Sequence, residues 1–348
     1  MNSLLSYYRL PFADHYVVLS QNSGGITLLH SLDELEGRSG FVVAPFHVTK
    51  EAPIVLIEPE TTTVCADFGP TEQTVAAIDW QEDRAAYHTD FELFHRLLAA
   101  GKMSKVVLSR TVTAQSADVA THAFLLFRRA CLRYPRMFVA LVALPGGEQW
   151  LTATPEVLLQ GSNGNYSTMA LAGTMRLEGD ELRGEGETAR WAPKDIEEQR
   201  YVASYIGDRL KSLGIDYDEQ GPRTVRAAHL VHLRSDFRFR LPAGVPVSRL
   251  LATLHPTPAV CGLPKQQALD LILRHEHCQR RYYSGFMGPL GSTDTHLYVT
   301  LRCMQVSASS CLTLYAGGGL LRESREEQEW QETEAKLDTM RHLLYNNV

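Results

Sequence analysis

An α+β fold is predicted by three features of the chain: apolar runs of strand length gathered in groups, segments of helical period between those groups, and no regular strand–helix–strand alternation. The first 90 residues alternate strand-like pieces, HYVVLS, GFVVAPF and PIVLIEP, with turns rich in Pro, Gly and Thr. Residues 1–90 therefore read as an N-terminal scaffold portion of one fold, and residues 91–348 as the part that carries chemistry. A helical stretch through 91–98 precedes the strand KVVLSRTVTA, a helix around 123–131, and the strands RMFVALVAL and QWLTATPEVLLQ. After the turn-rich insert LEGDELRGEGE, an amphipathic helix is expected from about 194 to 213, with Val202, Ile206, Leu210 and Leu213 on its apolar face and Gly214 as its stop. Two more strands, LYVTLRCMQV and CLTLYAGG, precede a last helix that turns Trp330, Leu337, Met340 and Leu344 inward.

At 348 residues, 44% hydrophobic and 21% charged, the chain can bury one large core or two closely packed lobes. A formal net charge of −6 argues against nucleic acid as a partner. No apolar run approaches the roughly 20 residues needed to cross a bilayer, and the N-terminus lacks a basic region followed by an apolar one. The six cysteines lie in apolar stretches without C-x-x-C pairs, which fits reduced thiols. These features predict a cytoplasmic protein without a membrane partner, and nothing in them demands more than a monomer.

Two acidic segments stand out. KDIEE, with Asp195 and Glu198, and EWQETEAK, with Glu329 and Glu332, each put two carboxylates three residues apart on one helical face. Four carboxylates brought together repel one another and resist desolvation unless a hard cation lies between them, and Mg²⁺ suits carboxylate oxygens. A magnesium site is expected.

In chain order, KVVLSR, TATPEVLL, LAGT, KDIEEQ, VHL, LHPTPAVCGLPK, E-x-x-x-R-x-x-Y-S-G, YVTLRC, LYAGGG and EWQETEAKL resemble the chorismate-utilising enzymes, the isochorismate, salicylate, anthranilate and aminodeoxychorismate synthases. The LHPTPAV string is most similar to isochorismate synthases. The resemblance covers residues 90 to 345 and implies large mixed or antiparallel sheets packed together with helices outside, as in anthranilate synthase component I. It makes 91–348 a chorismate-binding region and implies an isomerase that converts chorismate to isochorismate, adding water at C2 while the C4 hydroxyl leaves. Lys105 matches the lysine that activates water, and Glu156 the acid that protonates the departing hydroxyl. Burial and nearby carboxylates would have to raise that glutamate from about 4.3. A base and an acid together predict a bell-shaped pH profile.

The matched metal acids are Asp195, Glu198, Glu329 and Glu332. Arg302, read as the centre of the strand LYVTLRCM, matches the arginine that holds the ring carboxylate, with Tyr283 sharing that anion and Lys336 beside the substrate or metal. Gly317, Gly318 and Gly319 would bring backbone N–H groups near the same carboxylate, and Gly173 with Thr174 would approach the ring from the other side. A tight turn at a strand end is the plainer reading of both glycine sites. His232 matches a histidine near the reacting carbons, and Thr257 and Ala259 shape the pocket. Where the family usually has Glu-His this chain has Glu198-Gln199, which leaves the acid in place.

Salicylate synthesis, with pyruvate eliminated afterwards, and a silent chorismate-binding relative are the alternatives. Walker-type, nucleophile-elbow and dinucleotide motifs are absent from the sequence. His275-Glu276-His277-Cys278 fails as a zinc set because neighbours on a helix face different ways, and Glu276 with Arg280 reads as a structural pair.

Overall fold

The computed structural model describes residues 4–22, 24, 26–72, 78–177, 184, 186, 189–227, 229–291 and 294–345, so the insert LEGDELRGEGE lies almost wholly outside the described residues. Six strands come first: β1 (Leu4–Arg9), β2 (Tyr16–Gln21), β3 (Ile26–Leu29), β4 (Gly40–Ala44), β5 (Ile54–Ile57) and β6 (Thr61–Cys65). After a short β7 (Gln81–Glu82), helix α1 (Arg84–Ala99) leads to β8 (Lys105–Gln115), α2 (Ala117–Thr121) and α3 (Ala123–Arg133). Strands β9 (Phe138–Ala143), β10 (Gln149–Thr154), β11 (Val157–Ser162) and β12 (Asn165–Arg176) precede α4 (Pro193–Ser212). The pair β13 (Tyr217–Ala227) and β14 (Leu230–Arg240) is followed by α5 (Val247–Leu254), β15 (Gly262–Leu263) and α6 (Lys265–His275). The chain closes with β16 (Phe286–Leu290), β17 (Thr295–Val299), β18 (Cys303–Val306), β19 (Cys311–Leu320) and α7 (Glu326–Leu344).

Among the described residues the strands form two sheets, and every pairing in them is antiparallel. The first runs β15-β8-β19-β18-β10-β9-β1-β2-β6 with β7 beside β8, and the second β13-β14-β12-β11-β17-β16-β4-β5-β3. Side chains alternate between faces along each strand. In β4, Phe41 and Val43 point into the core between the sheets while Val42 and Ala44 meet the helical layer outside. In β9, Phe138, Ala140 and Val142 face inward and Val139 and Leu141 face α3 and α7. Both faces are covered, which is why these strands are continuous apolar runs in the sequence.

Helix α4 begins with Pro193, whose missing N–H costs nothing in a first turn, and Asp195 accepts from the Ala192 N–H at 3.3 Å. Its stripe of Val202, Ile206 and Leu210 packs on the second sheet, and Gly214, at φ +70, ends it. Helix α7 carries Glu326, Glu327 and Glu329 in its first turn and Arg341 and His342 in its last, in accord with the helix dipole. Its Leu337, Met340 and Leu344 pack on the first sheet, and Trp330 packs with α1 and α6.

Two readings of the sequence are corrected. QWLTATPEVLLQ is not one strand but β10 in the first sheet and β11 in the second, broken at Pro155-Glu156. Likewise LYVTLRCMQV divides into β17 in the second sheet and β18 in the first, so Arg302 sits at the break and not at a strand centre. Pro155 offers no N–H to a ladder, and Arg302 has left-handed backbone at φ +47, so neither position continues a strand. The two crossings run side by side, tied by Val299 N–H to the Glu156 carbonyl at 2.9 Å and Ala153 N–H to the Arg302 carbonyl at 3.2 Å.

Candidate functional site

Where the chain crosses between the sheets, a cavity lined by polar and apolar groups opens. The crossings supply Glu156 and Arg302 to its wall, and the segment before β16 supplies Tyr283 and Ser284. From β12 and β14 come Gly173, Thr174 and His232; from the loop after α5, Ala259; from β19, Gly317 and Gly319; and from α4 and α7, Glu198, Glu332 and Lys336. Lys105, Thr257, Gly318, Asp195 and Glu329 stand behind this surface.

Glu156 is 3% exposed, and burial pushes its carboxyl up to about 8 even though Lys105, Lys336 and Arg302 pull it down. It is protonated at neutral pH. Burial likewise lowers the Arg302 guanidinium, to about 10, so it remains charged. Its Nη2 donates to His232 Nε2 at 2.6 Å, while Nη1 is buried without a partner. His232 donates from Nδ1 to the Gly173 carbonyl at 2.7 Å, and burial and Arg302 hold it neutral, well below the usual histidine range. An imidazole locked on both nitrogens orients the arginine.

On the opposite wall three of the four acids, Glu198, Glu329 and Glu332, have an ammonium partner. Lys105, fully enclosed at the start of β8, lies 2.9 Å from Glu198. Burial pushes Glu198 up, but Lys105, with Lys336 and Lys194, outweighs it and holds the carboxylate below its usual range. Lys336 donates to Glu332 at 2.7 Å and to the Gly317 carbonyl at 2.8 Å, and Lys194 pairs with Glu329. Asp195 rises to about 6 through burial and the charges of Glu198 and Glu332, and Glu329 to about 7 through burial and Glu332. The four acids therefore feel one another across the gap between α4 and α7, although no three of them bring oxygens within 4.8 Å of each other.

The glycines of β19 are not a strand-end turn; they lie in its body, paired with β8. Alternation turns Gly317 and Gly319 to one side and Gly318 to the other. A Cβ on Gly319 would meet Lys105 Cε at 2.9 Å and collide with Glu198, and one on Gly318 would lie 3.2 Å from Glu329 Oε2. Gly173, at φ +67, sits at an irregularity of β12, and its N–H donates to Glu198 Oε2 at 3.2 Å. Thr174 Oγ1 is 3.5 Å from His232 Nδ1. The Thr257 carbonyl accepts from the Val260 and Cys261 N–H groups and so shapes the loop that presents Ala259.

Glu276 and Arg280 do pair, at 2.6 Å, but beyond the end of α6 and not along a helix. Arg280 also donates to the carbonyls of Val107 and Val260, and Glu276 accepts from the Ser109 N–H, which clamps β8 to the Ala259 loop. His277 instead bonds Asp90, so the His-Glu-His-Cys run is no metal set. Among the described residues the one tight trio of such groups is His88, Glu92 and Glu326 on the surface, where His88 and Arg84 already hold Glu326. Ser284 and Lys194 had no role in the sequence reading beyond their motifs. The signal for Lys194 was a cation in a helix first turn, where cations are disfavoured.

A sequence model of the family described as chorismate binding enzyme matches residues 61–345. The isochorismate synthase MenF of Escherichia coli is 32% identical over 267 residues, 75% of this chain and 61% of that protein. The isochorismate synthase EntC of the same organism is 30% identical over 248 residues, 70% and 63%. The chain thus spans less than two thirds of the length of these relatives. In three dimensions it superposes on the solved menaquinone-specific MenF of E. coli with a TM-score of 0.81 at 25% identity, covering 98% of this chain and 88% of that one. Anthranilate synthase component I of Streptococcus pneumoniae shares the fold alone, with a TM-score of 0.74 at 17% identity and coverage of 98% and 90%. Two antiparallel sheets packed on an apolar core, with a polar cavity where the chain crosses between them, and a family match over most of the sequence make this chain a member of the chorismate-binding enzyme family.

Proposed function

We propose that the protein is a magnesium-dependent isochorismate synthase. The observation that carries this reading is that Lys105 on β8 and Glu156 at the crossing between β10 and β11, 51 positions apart, are both buried at one site, the glutamic acid neutral on the cavity wall and the lysine just behind it against the lining carboxylate of Glu198. Relatives at 30–32% identity are isochorismate synthases.

In this reading the unpartnered Nη1 of Arg302 and the Tyr283 hydroxyl hold the ring carboxylate of chorismate, with His232 fixing the guanidinium. In the state competent for catalysis Lys105 has given its proton to solvent; the neutral amine takes a proton from the water that attacks C2, and Glu156 gives one to the hydroxyl leaving C4, which departs as water while the double bonds shift. The enzyme is left as ammonium and carboxylate, and proton exchange with solvent restores it. The enclosed walls exclude other water, and Thr174, Ala259 and the β19 glycines fit the ring closely.

The acids fit a hard divalent cation. Glu329 Oε2 is buried without a partner, Glu198, Glu329 and Glu332 all border Gly318 and Gly319, and mutual repulsion raises Asp195 and Glu329. Glu198 and Glu332, with Glu329 and Asp195 directly or through water, would hold it. The chemistry Mg²⁺ would supply there is neutralisation of the substrate carboxylate beside these acids.

We read the protein as a monomer whose residues 1–90 complete the scaffold around a catalytic region 91–348. All six cysteines are free, as a reducing compartment would keep them, and we read the protein as cytoplasmic; among the described residues no helix is long and apolar enough to cross a membrane. The test is incubation of purified protein with chorismate, with and without Mg²⁺, and chromatography of the product. Isochorismate formed only with the metal is expected. Salicylate would assign the second activity, and full conversion after thorough chelation would remove the metal from the proposal.

A further inference from the structure

We propose that Lys194 is a built-in competitor of the divalent ion for Glu329, and that its charge sets how weakly the chain binds metal on its own. This rests on the magnesium reading above. Lys194 is the second residue of α4, where the exposed N–H groups and the helix dipole already make the environment positive. Local helix physics therefore gives no reason for a cation there. Its partner is on another helix, 135 residues away, and is 1% exposed. Besides Glu329, the charges of Glu332 and Glu198 act on Lys194, so the ammonium sits among three of the four acids.

Of the three lysines on this wall, only Lys194 is free to leave. Lys105 is completely enclosed, and Lys336 is also tied to the Gly317 carbonyl. Lys194 has a side chain 27% exposed, and its amine has Glu329 as its hydrogen-bond partner among the described residues. It occupies Glu329 Oε1, while Oε2 stays unpartnered. An ammonium in this position offsets part of the repulsion that four clustered carboxylates suffer without metal. A divalent ion arriving at Glu329 must either displace it or bind beside a like charge, and both weaken binding.

The experiment titrates MgCl₂ by calorimetry into the chelator-stripped full chain without substrate, for wild type, K194M, K194R and E329Q, with circular dichroism to check folding. K194M should bind Mg²⁺ on the order of tenfold tighter than wild type, K194R should match wild type, and E329Q should bind more weakly than both. The partly exposed site tolerates K194Q as a second neutral variant with the same expected gain. Equal or weaker binding by K194M and K194Q would overturn the role of Lys194 and leave the metal reading standing. Absence of Mg²⁺ binding in every variant would overturn both.

Discussion

The strand crossings and the facing ends of α4 and α7 treat a buried carboxyl in opposite ways. At the crossings Glu156 loses its hydration and has no ammonium against it, so burial wins and it keeps its proton up to about 8. Across the cavity Glu198 is also largely enclosed, its side chain 13% exposed, but Lys105 lies 2.9 Å away, and attraction overcomes the cost of burial. The same side chain in the same cavity becomes an acid in one place and an anion in the other. Burial alone does not set the protonation state; it prevails unless a cation lies directly against the carboxyl.

Replacing each side with an uncharged isostere sharpens the contrast most. Both Glu156→Gln and Lys105→Gln should lower kcat by on the order of 10³-fold in a chorismate conversion assay, but their stabilities should differ. The Glu156→Gln change exchanges one neutral group for another and should leave the thermal midpoint at pH 7 nearly unchanged. The Lys105→Gln change strands Glu198 as a buried, uncompensated anion and should cost on the order of 3 kcal/mol in a denaturant titration. Equal stability losses in the two variants would break the comparison.

A smaller effect is expected from the glycines. Gly319→Ala drives a methyl group into Lys105 and Glu198 and should lower kcat/KM by roughly a hundredfold, whereas Gly318→Ala meets carboxylate oxygens of Glu329 at 3.2 Å and Glu332 at 3.8 Å and should cost less than about tenfold. The reverse order would mean that the catalytic face of β19 is the one turned to α7.

The mildest test is pH. Glu156 rises from 4.5 in the unfolded chain to about 8 in the native one, so the native state binds the extra proton. Its contribution to stability is fully present below pH 4.5 and is lost as pH climbs through about 8. The thermal midpoint of wild type should therefore fall more steeply from pH 6 to 8 than that of Glu156→Gln, and kcat/KM should decline above about pH 8 as the acid ionises. Parallel melting curves for the two proteins would show that Glu156 is already ionised in the native state.

Much of the architecture was legible in the residues because both sheet faces are covered. Runs such as RMFVALVAL and GFVVAPF have few other ways to be buried, and the stripe of Val202, Ile206 and Leu210 has the helical period. The strand breaks were less legible. Pro155 was visible, but the chain passes from sheet to sheet there only because β17 and β18 make the matching passage beside it, and the left-handed backbone of Arg302 has no signature in a non-glycine residue. The acid pairs of α4 and α7 could be read from their spacing, whereas the lysines facing Glu198 and Glu329 could not, since 93 residues separate Lys105 from Glu198 and 135 separate Lys194 from Glu329.

By itself the sequence determined which segments are strands and helices, which faces they bury, and which residue types the family chemistry requires. Those follow from periodicity and local backbone preference, which act over a few residues. Only the tertiary structure decided that Glu156 is neutral and Glu198 ionised, that Arg302 keeps one N–H unpaired, and that a lysine fills the place opposite Glu329. Desolvation and Coulomb attraction depend on distances between parts of the chain that are remote in order, and those distances exist only after the sheets have closed.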